Sequence, residues 1–263
     1  MKKIGILFLA ILSVSIYSCE KADEIGPNDK NSLSLNFDNM VGTEDLVMGT
    51  KTYTNTSGEK FTVTTLNYFV SNIELKKADG TVLKFADQYF LVKESDKASQ
   101  TVKLNDVPAA DYVSLTYTVG VDSAKSVADV SKRTGVLDPA SYGTDNMYWS
   151  WNSGYIFFKM EGNSDNITAA NKKYQFHIGG FGGMSAPTAN NLKKITVDLS
   201  TDKATVRKNI APEVHISVDV QKVFGANIKL ATSAVIMNPT LGVPVSANYK
   251  NSFALEHVHN DAM

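Results

Sequence analysis

The chain has 263 residues, 43% of them hydrophobic, with 26 basic and 27 acidic side chains and a formal net charge of -1. No basic block or basic helical face stands out, which excludes the electrostatic footprint of a nucleic-acid binder. A single cysteine, Cys19, excludes an internal disulfide and any metal site built on several thiolates.

The N-terminus reads as a targeting signal. Lys2-Lys3 precede an apolar run from Ile4 to Val14, followed by Ile16-Tyr17-Ser18-Cys19. The run is too short to span a membrane and has the basic start and small exit residue of a signal peptide. Its end resembles a bacterial lipoprotein signal with Cys19 as the lipidated residue. Residues 1–18 are therefore expected to be a signal peptide and 19–32, polar and rich in turn formers, a lipidated tether. The acidic start Glu20-Lys21-Ala22-Asp23-Glu24 resembles surface-export signals. The expected location is the cell envelope, on an outer-membrane lipoprotein facing the periplasm or the cell surface.

The remainder, 33–263, fits one domain of about 230 residues. Alternation of period two dominates it: Leu33, Leu35 and Phe37 alternate with polar neighbours, as do Val113, Leu115, Tyr117, Val119 and Val121. Further strands are predicted at 60–76, 82–93, 101–104, 154–160, 173–179, 193–199, 204–209, 213–221 and 228–236, with a hairpin turn at Asp79-Gly80. Helical periodicity is limited to short pieces at Ser123 to Val130 and Val220 to Phe224. The expected fold is all-β, an antiparallel sandwich or barrel-like single domain with long loops and short helical turns. The long connection from Asp122 to Tyr148 is expected to be functional, because long ordered loops in compact domains usually are.

Scarce residue types cluster. Both tryptophans, Trp149 and Trp151, lie in Tyr148-Trp149-Ser150-Trp151-Asn152-Ser153-Gly154-Tyr155, and three of the four histidines lie in Phe176-His177-Ile178-Gly179-Gly180 and His257-Val258-His259. If the strand runs unbroken, Trp149, Trp151, Tyr155 and Phe157 share one face and, on physics alone, read first as an aromatic core cluster. His257 and His259 share parity with Phe253 and Leu255, so both imidazoles leave the strand on one side, close enough to chelate one ion. His177 points away from an apolar face on a strand that ends in glycines, where another segment can approach closely. His215 shares parity with Ser217 and Asp219 and reads as a surface residue outside the site. A thioether from Met40, Met147 or Met184 could add a soft ligand, though methionines fill cores more often.

A set of spaced motifs carries a resemblance: Leu66-Asn67-Tyr68-Phe69-Val70-Ser71-Asn72, Gly120-Val121-Asp122-Ser123, Leu137-Asp138-Pro139, Met147-Tyr148-Trp149, Glu161-Gly162, Phe176-His177-Ile178-Gly179-Gly180 and His257-Val258-His259. In this order they resemble the MbnP family of exported copper-binding proteins named for a methanobactin operon. The resemblance implies a β-rich fold and copper as cofactor, held by histidines and in some members by a tryptophan oxidised to kynurenine. It also implies a dihaem cytochrome c peroxidase-like partner. His177, His257 and His259 are the implied ligands, Trp149 or Trp151 the residue to be modified, and Tyr155 and Met147 site-lining. Many members place a histidine in the first strand region, where this chain has Phe37-Asp38-Asn39-Met40, so the implied ligand set lacks one member.

The leading function is a copper-binding lipoprotein that captures, holds or hands over copper without turnover of its own. The alternative is a carbohydrate- or peptide-binding module that uses Trp149, Trp151, Tyr148 and Tyr155 as an exposed stacking platform. No nucleophile elbow, zinc-protease helix, phosphate loop or cysteine nucleophile is present, so no enzyme is expected.

Overall fold

The computed structural model describes residues 25–149 and 154–261. Cys19 and Trp151 lie outside them. The strands longer than two residues are β1 (Lys30–Val41), β2 (Thr65–Lys77), β3 (Val82–Lys93), β4 (Thr101–Pro108), β5 (Ala110–Val119), β6 (Gly154–Asn163), β7 (Lys173–Gly179), β8 (Lys193–Asp198), β9 (Ala204–Val206), β10 (Glu213–Asp219) and β11 (Phe253–His259). The all-β expectation holds. β1 starts at Lys30, so the last residues of the polar segment already pair, Lys30 opposite Pro108 and Asn31 opposite Val107.

Two sheets face each other. The smaller runs β11-β10-β1, with β4 and the short pair Glu44–Asp45 on the far side of β1. The larger runs β8-β5-β2-β6-β7, with β3 against β2 and β9 against β5. Two pairings among the described residues depart from the antiparallel expectation: the short strand Val235–Ile236 runs parallel to β7, and β1 and β10 run parallel, with Asn36 opposite His215. Parallel neighbours need a long crossover. Nearly the whole domain lies between β1 and β10.

Alternation explains the layering. Leu33, Leu35 and Phe37 of β1 and Val214, Ile216 and Val218 of β10 are all 0% exposed and face the larger sheet. Phe37 stands edge-on to Tyr68 and Tyr117, with ring centroids 6.0 and 5.6 Å away. Phe253 of β11 packs on the same two tyrosines at 5.7 and 5.9 Å. Such pairs stabilise beyond their area burial, by about 0.5–1.5 kcal/mol each.

The larger sheet is covered on its outer face too. Phe69, Tyr155 and Phe157 join Val121, Leu137, Tyr142, Met147 and Trp149 in a second core. The connection from Asp122 to Tyr148 is thus a cover over that face. It is wound into short helical turns, including α1 (Ser123–Ser126), capped by the side chains of Asp122, Asp129 and Asp138. Buried Arg133 donates to the Ser126 and Ala128 carbonyls and to the Tyr148 hydroxyl.

Several elements differ from expectation: predicted strand 60–76 is split into Lys60–Phe61 and β2, and 204–209 is shortened to β9. Predicted strand 228–236 is reduced to Val235–Ile236. A helix with no signal in the sequence pattern, α2 (Pro239–Tyr249), follows it, with the Asn238 side chain accepting from Thr240 N at 2.8 Å as its cap. Gly242 and Pro244 hid it, since both disfavour helix interiors. Tertiary contact outweighs them: Val245 and Tyr249 are 0% exposed, and the Tyr249 ring stacks on Phe158 at 4.8 Å.

Candidate metal centre

β10 and β11 are antiparallel neighbours, with Glu213 opposite His259, Val214 opposite Val258 and His215 opposite His257. The register shifts between His215 and Ile216, where Glu256 is an extra residue in β11. A bulge of one residue resets which side chains face in. Phe253 and Leu255 therefore pack on the core, and after the bulge it is Val258 that does so. Parity counted from Phe253 fails at this point. His257 and His259 point to the outer face, where His215 already stands.

His215 is thus a member of the cluster. The His215 and His257 rings stack at 4.3 Å with 13° between planes, and His259 stands edge-on to both, at 5.0 and 4.6 Å. Nε2 of His257 and Nε2 of His259 are 3.0 Å apart. One ligand nitrogen from each of the three lies within 4.8 Å of the other two, which makes them a metal-capable group among the described residues. Parity placed His215 on the outer face correctly. It could not show which strand would lie beside it.

The fit can be tested on the donor set. Imidazole nitrogens bind Cu or Zn at about 2.0–2.1 Å, so two ligands of one ion are at most about 4 Å apart. The pair at 3.0 Å meets that limit as it stands. The spread of 4.8 Å must close by about 0.8 Å to reach that limit, through side-chain rotation. The rings have room for this, with side-chain exposures of 21% for His215, 42% for His257 and 54% for His259.

The C-terminal strand is held on its outer edge. Val258 N donates to Asp202 at 2.7 Å, Thr205 N donates to the Asn260 side chain at 2.8 Å, and Asn260 donates to the Lys203 carbonyl at 2.9 Å. These bonds extend past His259, so the imidazole pair sits on a clamped strand.

His177 lies elsewhere. Phe176 and Ile178 of β7 face the main core, so His177 is on the outer face of the larger sheet. The two sheets of a sandwich are about 10 Å apart, and the trio is on the far side of the other sheet. His177 Nε2 is 2.5 Å from Glu161 Oε1, and Lys159 Nζ is 3.6 Å from the same oxygen. Burial lowers the pKa of His177, which the Glu161 contact only partly offsets, and Lys159 lowers it further. Burial acts to raise Glu161, but the His177 bond and the Lys159 charge outweigh it and leave the carboxyl below its usual value.

This pair has a pH consequence. The unfolded chain protonates this histidine near 6.5 and the folded chain only at lower pH. The contribution to stability is therefore complete above 6.5 and lost as pH falls. Thermal unfolding at pH 7 and pH 5 should show a smaller drop in Tm for His177→Gln than for the wild type.

The tryptophan region also departs from the unbroken-strand expectation. Trp149 pairs with Gly154 and Tyr148 with Tyr155, so the chain reverses between them. Trp149 is 7% exposed and Tyr155 and Met147 are 0% exposed, all in the second core. A Cβ on Gly179 would lie 2.5 Å from the Tyr155 carbonyl and 2.8 Å from Trp149 Cζ3, so the glycine admits this packing. His177 and Trp149 share the outer layer of the larger sheet, apart from the trio. The described rings leave no broad stacking platform. Of the thioethers, Met147 is in the core, Met40 is half-buried on β1 and Met184 is exposed.

A profile of the MbnP family matches residues 30–238. The chain belongs to the MbnP family. Among solved structures, MbnP from Methylosinus trichosporium aligns with a TM-score of 0.49 and 14% identity, covering 78% of this chain and 80% of that one. No curated protein matches the sequence. Membership points to a methanobactin-associated, copper-related role. The matched segment contains His177 and His215 and stops before His257 and His259, so two members of the trio lie beyond it.

Proposed function

We propose that this MbnP-family protein is a cell-envelope copper-binding lipoprotein whose metal site is the trio His215, His257 and His259. The observation that carries the reading is the convergence of three imidazoles from two paired strands on one outer face. Copper here is cargo, captured or handed over without turnover. Three neutral imidazoles hold Cu(II) more tightly than the other divalent first-row ions, by the general order of affinities. Partial exposure leaves the ion accessible for exchange with a partner, and a lipid on Cys19 would hold the domain at the membrane. A dihaem peroxidase-like partner belongs to this reading only if Trp149 or Trp151 is oxidised.

The test is a chelator-competition titration of the purified protein with Cu(II). One equivalent should bind. His257→Ala combined with His259→Ala should lose that binding, and undiminished affinity in the double variant would remove the trio from the site.

A further inference from the structure

The outer face of β10 and β11 holds a fourth group. Glu213 is directly opposite His259 in the ladder and two residues from His215 on the same side of β10. Its Oε1 lies 3.1 Å from His215 Nε2 and accepts a hydrogen bond from Asn36 Nδ2 at 3.0 Å. Asn36 stands opposite His215 on the neighbouring strand β1. The carboxylate is thus held between two side chains from different strands.

The other imidazoles show the opposite polarity. His257 Nδ1 is 3.7 Å from Glu256, the bulge residue, and His259 Nδ1 is 3.8 Å from Asp261, while their Nε2 atoms face each other at 3.0 Å. In each ring one nitrogen is turned to a carboxylate. The nitrogen left over is Nδ1 in His215 and Nε2 in the other two.

We propose that Glu213 is the positioning carboxylate of this site, holding His215 as the Nε2–H tautomer so that it ligates through Nδ1, while His257 and His259 ligate through Nε2. This rests on the trio being the metal site. A carboxylate on the far nitrogen of a ligating imidazole fixes ring orientation and tautomer and raises ligand basicity. Its negative charge also favours a divalent ion over Cu(I). No carboxylate ligand is required, because Glu213 acts through His215.

The experiment uses the purified full chain, Zn(II) as a diamagnetic probe in imidazole 15N–1H correlation spectra, and Cu(II) in competition titrations. In the wild type with Zn(II), His215 should show a metal-bound Nδ1 and a protonated Nε2. Glu213→Ala should abolish that single tautomer and weaken Cu(II) by about 10–100-fold. Glu213→Gln keeps an acceptor oxygen and should retain the tautomer with a smaller loss of affinity. His215 bound through Nε2, or a Glu213→Ala protein with unchanged tautomer and affinity, overturns the proposal while leaving the trio intact. A wild type in which neither metal shifts any of the three imidazoles overturns the trio itself, and this inference with it.

Discussion

His215→Ala is expected to weaken Cu(II) binding at least tenfold, about 1.4 kcal/mol or more, while His177→Ala leaves it within about twofold. The two variants separate sites on opposite faces of the sandwich. His215 supplies the β10 side of a cluster whose other two nitrogens, from β11, are 3.0 Å apart. Without it the ion keeps two protein nitrogens and must fill its remaining positions with water. His177 is bonded to Glu161 across the larger sheet and out of reach of the trio. A His215→Ala protein with wild-type affinity, or a loss confined to His177→Ala, would move the copper site to the tryptophan face. Both proteins should keep wild-type circular dichroism, because His215 is on the outer face and neither substitution opens the main core.

The second large effect concerns the fold. Phe37→Ala should destabilise the domain by about 3–5 kcal/mol, since it deletes a ring from a fully buried site. In a domain of this size that corresponds to a fall in Tm of roughly 6–20 °C. Phe37 lies between the sheets and makes edge contacts with both Tyr68 and Tyr117, so its loss leaves a cavity lined by rings that cannot collapse into it. Phe37→Leu keeps most of the volume and should cost about 1.5 kcal/mol or less. Equal melting temperatures for the wild type and Phe37→Ala would contradict the inter-sheet packing described above.

Most of the fold was legible because alternation is a local property. The strands at 82–93 and 173–179 were read with their observed bounds, and 193–199 differs by one residue at its end. In those segments each inward residue meets the same core, so a period of two suffices. Helix α2 escaped because Gly242 and Pro244 break its local signal, and only packing of Val245 and Tyr249 sustains it. The loop before Tyr148, expected from its length to be functional, contributes its apolar residues Leu137, Tyr142 and Met147 to a second core.

The site was half legible. The sequence by itself determined that His257 and His259 leave one side of a strand and that His215 leaves the polar side of another, because side-chain direction along a strand follows from backbone geometry. Only the tertiary structure decided that these two sides are the same surface. That result needs the antiparallel pairing of β10 with β11 across a separation of some forty residues, and the bulge at Glu256 that turns both imidazoles outward. Neither has a local signature: pairing depends on which edges the rest of the chain leaves open, and one inserted residue inverts every face beyond it. The same long-range packing sends His177 to the opposite side of the sandwich, on the face that carries Trp149 rather than the one that carries the other histidines.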